Sequence, residues 1–169
     1  NAVGSCLSDA ILNSDPYPPR GMIIAGGNPA LMHVNSSRIR KAIQSVDFVV
    51  QIDVRMTDTS EFADIFLPAQ TPLEKEELGA SYGAWDNDML AVIERVLPPA
   101  GESLPDYEIW WRIGERLGFK VPKDFEDACD SLILKPIGLT LKELREKPYY
   151  YREEFEKYKK KGFSTPSGK

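Results

Sequence analysis

Asp53 closes the apolar run that begins at Phe48, and Thr57, Asp58, Thr59, Glu61 and Asp64 follow before apolar residues resume at Ile65. A carboxylate at the tip of a strand can accept two hydrogen bonds, from a ribose diol or from the N1–H and exocyclic amine of a guanine. It can equally cap the next turn. Asn28 lies in "GGNP" (26–29), where two glycines let a ligand approach the backbone and the amide offers a donor and an acceptor. A tight strand-to-helix turn that touches nothing would use the same residues. Lys75 stands among Glu74, Glu76 and Glu77. That pattern suits a cation kept near a phosphate or a ligand carbonyl, and it also suits a solvated charge run. Asp106 follows Ser103 at capping-box spacing, so it reads as an N3 cap first and as a base-binding carboxylate second. Asp58, Glu61 and Asp64 read as caps and surface charges.

Other chemistry is limited by composition. The single histidine, His33, rules out a cluster of His ligands within this chain and reads as a polar turn residue. Cys6 and Cys129 are far apart, have no metal-type spacing, and receive no catalytic role. No Gly-x-Gly-x-x-Gly occurs, so an ordinary NAD fingerprint is missing. Trp85, Trp110 and Trp111 read as core or interface residues.

These side chains need elements to position them. "GMIIAGG" (21–27) predicts a short buried strand ending on a Gly-Gly loop. "SSRIRKAIQSV" (36–46) repeats apolar residues at helical spacing, and "DFVVQID" (47–53) has the continuous apolar character of a parallel strand covered on both faces. Strand, helix and strand in this order make a βαβ unit. "TDTSEFAD" predicts one helical turn, boxed by Asp58 and Glu61, before a third strand at 64–69. Residues 70–88 read as irregular, and 89–97 as a strand on the edge of the same sheet. "SLPDYEIWWRIGERLGF" is the clearest helix, with Ile109, Trp110, Ile113 and Leu117 on its apolar face and Gly118 at its C-terminal stop. Asp124 and Thr140 predict caps for two further helices, the first turning Phe125, Ala128 and Leu132 inward. A helix at 7–13 precedes these elements, and "REEFEKYKKKG" reads as a solvated helix or linker. The expected architecture is a three-layer α/β/α domain with a mostly parallel, Rossmann-like sheet over 21–120. An N-terminal helix and linker occupy 1–20, and a helical extension occupies 121–169.

The 169 residues are 42% hydrophobic and 28% charged, the balance of an ordinary globular chain. A net charge of −5 provides no basic footprint for nucleic acid. No apolar run approaches the roughly 20 residues of a membrane helix, so direct membrane insertion is not expected. The first residue is not Met, "NAVGSCLS" lacks the features of a signal peptide, and "GFSTPSGK" ends without a terminating element. The chain is therefore expected to be a piece of a longer protein, and its compartment is left open.

Read together, "GGNPA", "FVVQIDVRMTDTSEFADIFLPAQTPLEKEE", "PPAGESLPDYEIWWRIGERLGF" and "GFSTPSGK" resemble the molybdopterin oxidoreductase family of the dimethyl sulfoxide reductase type, from about Asp9 to Lys169. The run D-x-x-x-T-x-T-x-x-x-A-D-x-x-L-P, here Asp53 to Pro68, carries most of the resemblance. The resemblance implies a full enzyme that holds molybdenum or tungsten between two molybdopterin guanine dinucleotides. This segment would be a central α/β domain gripping one of them and shaping the substrate funnel. Family cofactor-binding positions fall on Asn28, Ile52, Asp53, Lys75 and Asp106. The metal ligand, and any iron–sulfur cluster, would lie outside this segment, so the isolated chain is expected to hold neither and to be non-catalytic. Its partners would be the remaining domains of the same polypeptide, including a C-terminal dinucleotide-binding domain, and an iron–sulfur electron-transfer subunit. One departure stands out. "EELGASYGAWDNDMLAV" lacks the Asn-x-Glu-Gly-Arg pattern of many respiratory members, which implies a preference for organic substrates. The rival readings are a non-catalytic subunit or paralogue of the same fold, and a generic nucleotide-binding α/β module.

Overall fold

The computed structural model describes residues 6–80, 89–150, 158–163 and 165–168. They form two compact units. One comprises the chain through Lys75 together with Val96–Leu117, and the other Glu76–Arg95 with the chain from Gly118 onward.

The first unit is built on a parallel three-stranded sheet, β1 (Gly21–Ala25), β2 (Phe48–Asp53) and β3 (Ile65–Pro68), with β2 in the middle. Ala25 pairs with Ile52, and Asp53 with Pro68, so the three strands end at nearly one level. Alternation along β2 divides its side chains between two faces. Val49 packs with Ile11 of α1 (Leu7–Asn13) and with Ile39, Ala42 and Ile43 of α3 (Ser36–Gln44). Val50 and Ile52 pack with Ile109 of α4 (Asp106–Arg116), together with Ala69, Leu104 and Ile113. Both faces of β2 are thus covered, as its unbroken apolar run requires. Ile52 is fully buried, a burial that contributes roughly 1.5–3 kcal/mol. Between β1 and α3 lies a single helical turn, α2 (Pro29–Met32), with Pro29 at its first position. The N-cap of α3 is Asn35, whose Oδ1 accepts the Arg38 N–H at 3.2 Å.

Two expected capping boxes are not the ones that form. The 3-10 turn Asp58–Phe62 has Thr57 as its N-cap, and the Thr57 N–H donates to Ser60 Oγ at 2.7 Å. Asp58 is drawn elsewhere, to Asn28 and Arg40. Ser103 does not box with Asp106, because Leu104 is committed to an extended parallel bridge with Ala69. Helix α4 therefore starts after Pro105, and the Ser103 hydroxyl donates to the Ala100 carbonyl at 2.7 Å. The buried stripe of α4 is also narrower than its spacing predicts. Ile109 is buried, whereas Trp110 and Leu117 are exposed.

The second unit has its own sheet, an antiparallel set of β4 (Glu77–Ala80), β5 (Met89–Ile93) and β6 (Tyr149–Tyr150). Residues 89–93 are therefore the centre of a separate sheet and not an edge of the parallel one. Leu78, Leu90 and Val92 pack against Cys129, Leu134, Leu141 and Leu144. A Cβ at Gly79 would stand 3.1 Å from Ile93 Cγ1, so the close pairing of β4 with β5 favours glycine there. Asp124 caps α5 (Phe125–Cys129) by accepting the Asp127 N–H at 2.8 Å, and the Thr140–Glu143 box opens α6 (Leu141–Glu146), both as expected. Leu132 nonetheless faces out, because Asp130–Leu134 widens into a π-helical turn that shifts the inward position to Leu134. Residues 158–161 form a last helical turn, α7 (Tyr158–Lys161). The expected features at Trp85, at 81–88 and at 151–157 lie outside the described residues. No helix among the described residues is long and apolar enough to cross a membrane.

Candidate functional site

The carboxyl edge of the parallel sheet gathers all five predicted positions. Ile52 and Asp53 end β2, Asn28 lies three residues beyond β1, and Lys75 follows β3 by seven residues. Asp106 reaches the same edge because Leu104 runs parallel to Ala69, which carries the chain past the strand ends into α4. In an open parallel sheet this is where ligands bind.

Asn28 is fixed on both sides. Its Nδ2 donates to Asp58 Oδ2 at 3.1 Å, and its Oδ1 accepts from the Thr59 hydroxyl at 2.8 Å. Thr59, fully buried, accepts the Ala30 N–H at 3.1 Å. Arg40 completes this cluster, with Nη2 3.3 Å from Asp58 Oδ1 and Nε 3.3 Å from the Ala30 carbonyl. The hydrogen bond from Asn28, then the turn's own backbone, hold the Asp58 carboxyl below its ordinary range against the opposing effect of burial, with a lesser contribution from the Arg40 charge.

Asp53 is half-buried. Its Oδ1 accepts the Val54 N–H at 2.8 Å, while Oδ2 has a 3.5 Å contact with Gln51 Nε2. The bland cap role thus uses one oxygen and leaves the other weakly engaged. Beneath it Gln51 is fully buried and donates to Thr57 Oγ1 at 2.8 Å, and its Oε1 has no partner among the described residues. Ile52 supplies the apolar floor on the opposite face.

Lys75 Nζ pairs with Asp106 Oδ2 at 2.6 Å, with the lysine side chain 13% exposed and the aspartate 41%. The neighbour that places Lys75 is Glu74. Its Oε2 accepts the Thr71 N–H at 2.9 Å and the Thr71 hydroxyl at 2.6 Å, and its Oε1 accepts the Ala100 N–H at 2.9 Å. Those bonds, led by the Thr71 hydroxyl, hold its carboxyl below the ordinary range. Glu74 is thus a buried staple and not a solvated counter-charge. The signal was present in the sequence, since Thr71 and Glu74 stand at capping-box spacing. Local pattern does not reveal the partners of Thr59 and Arg40, which lie 31 and 18 positions away in Asn28 and Asp58.

Among the described residues no group of three His, Cys, Asp or Glu side chains is placed to hold a metal. The edge offers carboxylates, the cations Arg40 and Lys75, and an exposed glycine loop, a set suited to a polar organic ligand with phosphate.

Residues 5–116 match the family model described as molybdopterin oxidoreductase. The chain belongs to the molybdopterin oxidoreductase family. Over 145 residues, 85% of its length, it is 30% identical to the molybdopterin-containing subunit of thiosulfate reductase from Salmonella typhimurium. Over 97 residues, 57% of its length, it is 36% identical to a trimethylamine-N-oxide reductase from Vibrio vulnificus. These matches span only 19% and 12% of those two relatives. Among solved structures, acetylene hydratase from Pelobacter acetylenicus superposes on 99% of this chain with a TM-score of 0.84 and 25% identity, and the match covers 23% of that enzyme.

Proposed function

We propose that this chain is the part of a molybdenum or tungsten oxidoreductase that grips one molybdopterin guanine dinucleotide and shapes the approach to the metal. The observation that carries the reading is the convergence of Asn28, Ile52, Asp53, Lys75 and Asp106 on one sheet edge. The donor set fits such a group. Asp53 Oδ2, weakly engaged, suits the paired N–H donors of a guanine or a ribose diol. Lys75, balanced by Asp106, is a cation for phosphate or a pterin carbonyl. A Cβ at Gly26 would meet nothing within 4 Å, so the loop is open to a close-lying ligand. The covering of β2 by α1 and α3 on one face and α4 on the other supports a three-layer, Rossmann-like arrangement for this unit.

When bound, the cofactor supplies two-electron redox chemistry at its metal. The residues of this chain bind and orient it, which is the protein's principal contribution in cofactor enzymes. The metal ligand, any iron–sulfur centre and an electron-transfer subunit belong to the rest of the assembly in this reading. The isolated chain is then a holder and not a catalyst.

The test is Asp53→Ala in the full-length enzyme, with pterin and metal content measured after purification. Occupancy is expected to fall about tenfold, the effect of losing one charged hydrogen-bonded contact. Unchanged occupancy would return Asp53 to the role of a cap.

A further inference from the structure

The backbone of the loop after β1 is held at its two ends, where the Gly26 N–H donates to the Ile52 carbonyl at 2.9 Å and the Asn28 carbonyl accepts from Leu31 and Met32. Gly26 has a positive φ of 60° and would bring even a Cβ near nothing. Its Asn28 amide, in contrast, sits within a directional chain of hydrogen bonds. Asp58 can only accept, so it fixes Nδ2 on its side of the amide. The Thr59 hydroxyl accepts the Ala30 N–H and so turns its single proton to Asn28 Oδ1. Arg40, bonded to Asp58 and to the Ala30 carbonyl, ties both ends of the chain to α3. Each member permits one orientation of the next, so the amide cannot flip.

We propose that Thr59 is a positioning residue, whose buried hydroxyl locks the orientation of Asn28 and so sets the Gly26–Asn28 loop for cofactor binding. The inference rests on the cofactor-holding role proposed above. It assigns the second threonine of the T-x-T pair a task that a helical cap does not require. Thr57 caps the 3-10 turn and takes up Gln51, whereas Thr59 reaches back to the strand-one loop. The side chain suits the task, because β-branching restricts χ1 and full burial keeps water from competing for the bonds.

The experiment uses the full-length holoenzyme. Pterin content after purification, and the rate at which bound pterin is lost well below the unfolding temperature, are measured for wild type, Thr59→Val and Thr59→Ser. Valine keeps the shape and removes both hydrogen bonds, so it is expected to raise the loss rate about tenfold. Serine keeps the hydroxyl and is expected to recover the rate to within about threefold of wild type. Ile43→Val, a core change on α3, serves as a control for general loss of stability. Matching loss rates for Thr59→Val and wild type would overturn the proposal. So would equal loss for valine and serine, or for the Ile43→Val control at a matched fall in Tm. Should Thr59→Val not fold, Thr59→Ala replaces it. Alanine removes the same hydroxyl and is expected to speed loss severalfold relative to Thr59→Ser, and no change there overturns the proposal as well. A fall for Asp53→Ala with none for Thr59→Val defeats only this inference, whereas no change in either defeats the cofactor reading itself.

Discussion

Six polar or charged side chains are buried among the described residues, Ser8, Gln51, Thr59, Ser60, Gln70 and Glu74, and all six belong to the parallel-sheet unit. Among the described residues of the antiparallel unit the buried ones are Cys129, Leu134, Leu141 and Leu144, and the charges gather around Arg145 at the surface. The difference has a physical reason. The carboxyl edge of the parallel sheet is made of loops, and loops without regular pairing need side chains to satisfy and fix their backbone. Thr59 does this for Ala30, and Glu74 does it for Thr71 and Ala100. A unit whose helices and strands satisfy themselves can close over an apolar interior. The family match covers the described elements of the parallel-sheet unit and runs on through β4 and β5 of the other. It ends at residue 116 and leaves out α5 and α6.

The largest expected effect that tests this contrast is Leu141→Ala in the full-length protein. Leu141 is fully buried, and truncating such a leucine costs about 2–5 kcal/mol. Denaturant unfolding should show that loss, while pterin content in the folded fraction stays at the wild-type level. A matching fall in pterin content would mean that the antiparallel unit also serves the cofactor edge, and the contrast would fail.

The legibility of the two units differs along the same line. Asp53 and Asn28 could be found because apolar runs stop beside them, and Asp124 and Thr140 because capping spacing is local. Strand β4 is not legible, since "ELGA" is short and becomes a strand only by pairing with residues ten to sixteen positions on. The Ser103–Asp106 spacing does not become a box for a related reason. Leu104 pairs with Ala69, and that distant contact outweighs a local preference. Leu132 faces out because a π-helical turn shifts the inward positions, and no residue type announces one. The bridge from Thr59 to Asn28 spans 31 positions, so only the fold shows that the two motifs act together.

A smaller effect is expected at Arg145. Its guanidinium faces Glu76 at 2.6 Å, Glu94 at 3.3 Å and Glu126 at 3.8 Å, with the arginine side chain 35% exposed. Partly exposed pairs contribute about 0.2–1 kcal/mol each. Arg145→Met should therefore destabilise by roughly 1 kcal/mol at low salt, partly through repulsion among the three carboxylates left behind. Most of that should vanish at an ionic strength of about 1 M, where the Debye length is about 3 Å. A loss that ignores salt would show that the side chain acts through packing.

The finest distinction between the units is in their response to pH. Asp58 and Glu74 are both held below their ordinary values, led by hydrogen bonds from Asn28 and from Thr71. Between the folded and unfolded values the unfolded chain binds more protons, so stability rises with pH there. This contribution is complete above the unfolded values of about 4 and is lost as pH falls through the lowered folded values. Cys129 behaves in the opposite sense. Burial, aided by Asp130 and Glu76, raises its thiol to about 11. Its contribution is complete below the unfolded value of about 8.5 and is lost as pH rises through the folded one. Acid should thus loosen the parallel unit first and alkali the antiparallel unit. Hydrogen exchange at the Ile52 and Leu141 amides can follow the two separately. Asp58→Asn with Glu74→Gln should flatten only the acid limb at Ile52, and Cys129→Ala only the alkaline limb at Leu141. If both amides responded equally to either set of changes, the two units would open together, and the division of polar side chains between them would carry no consequence for stability.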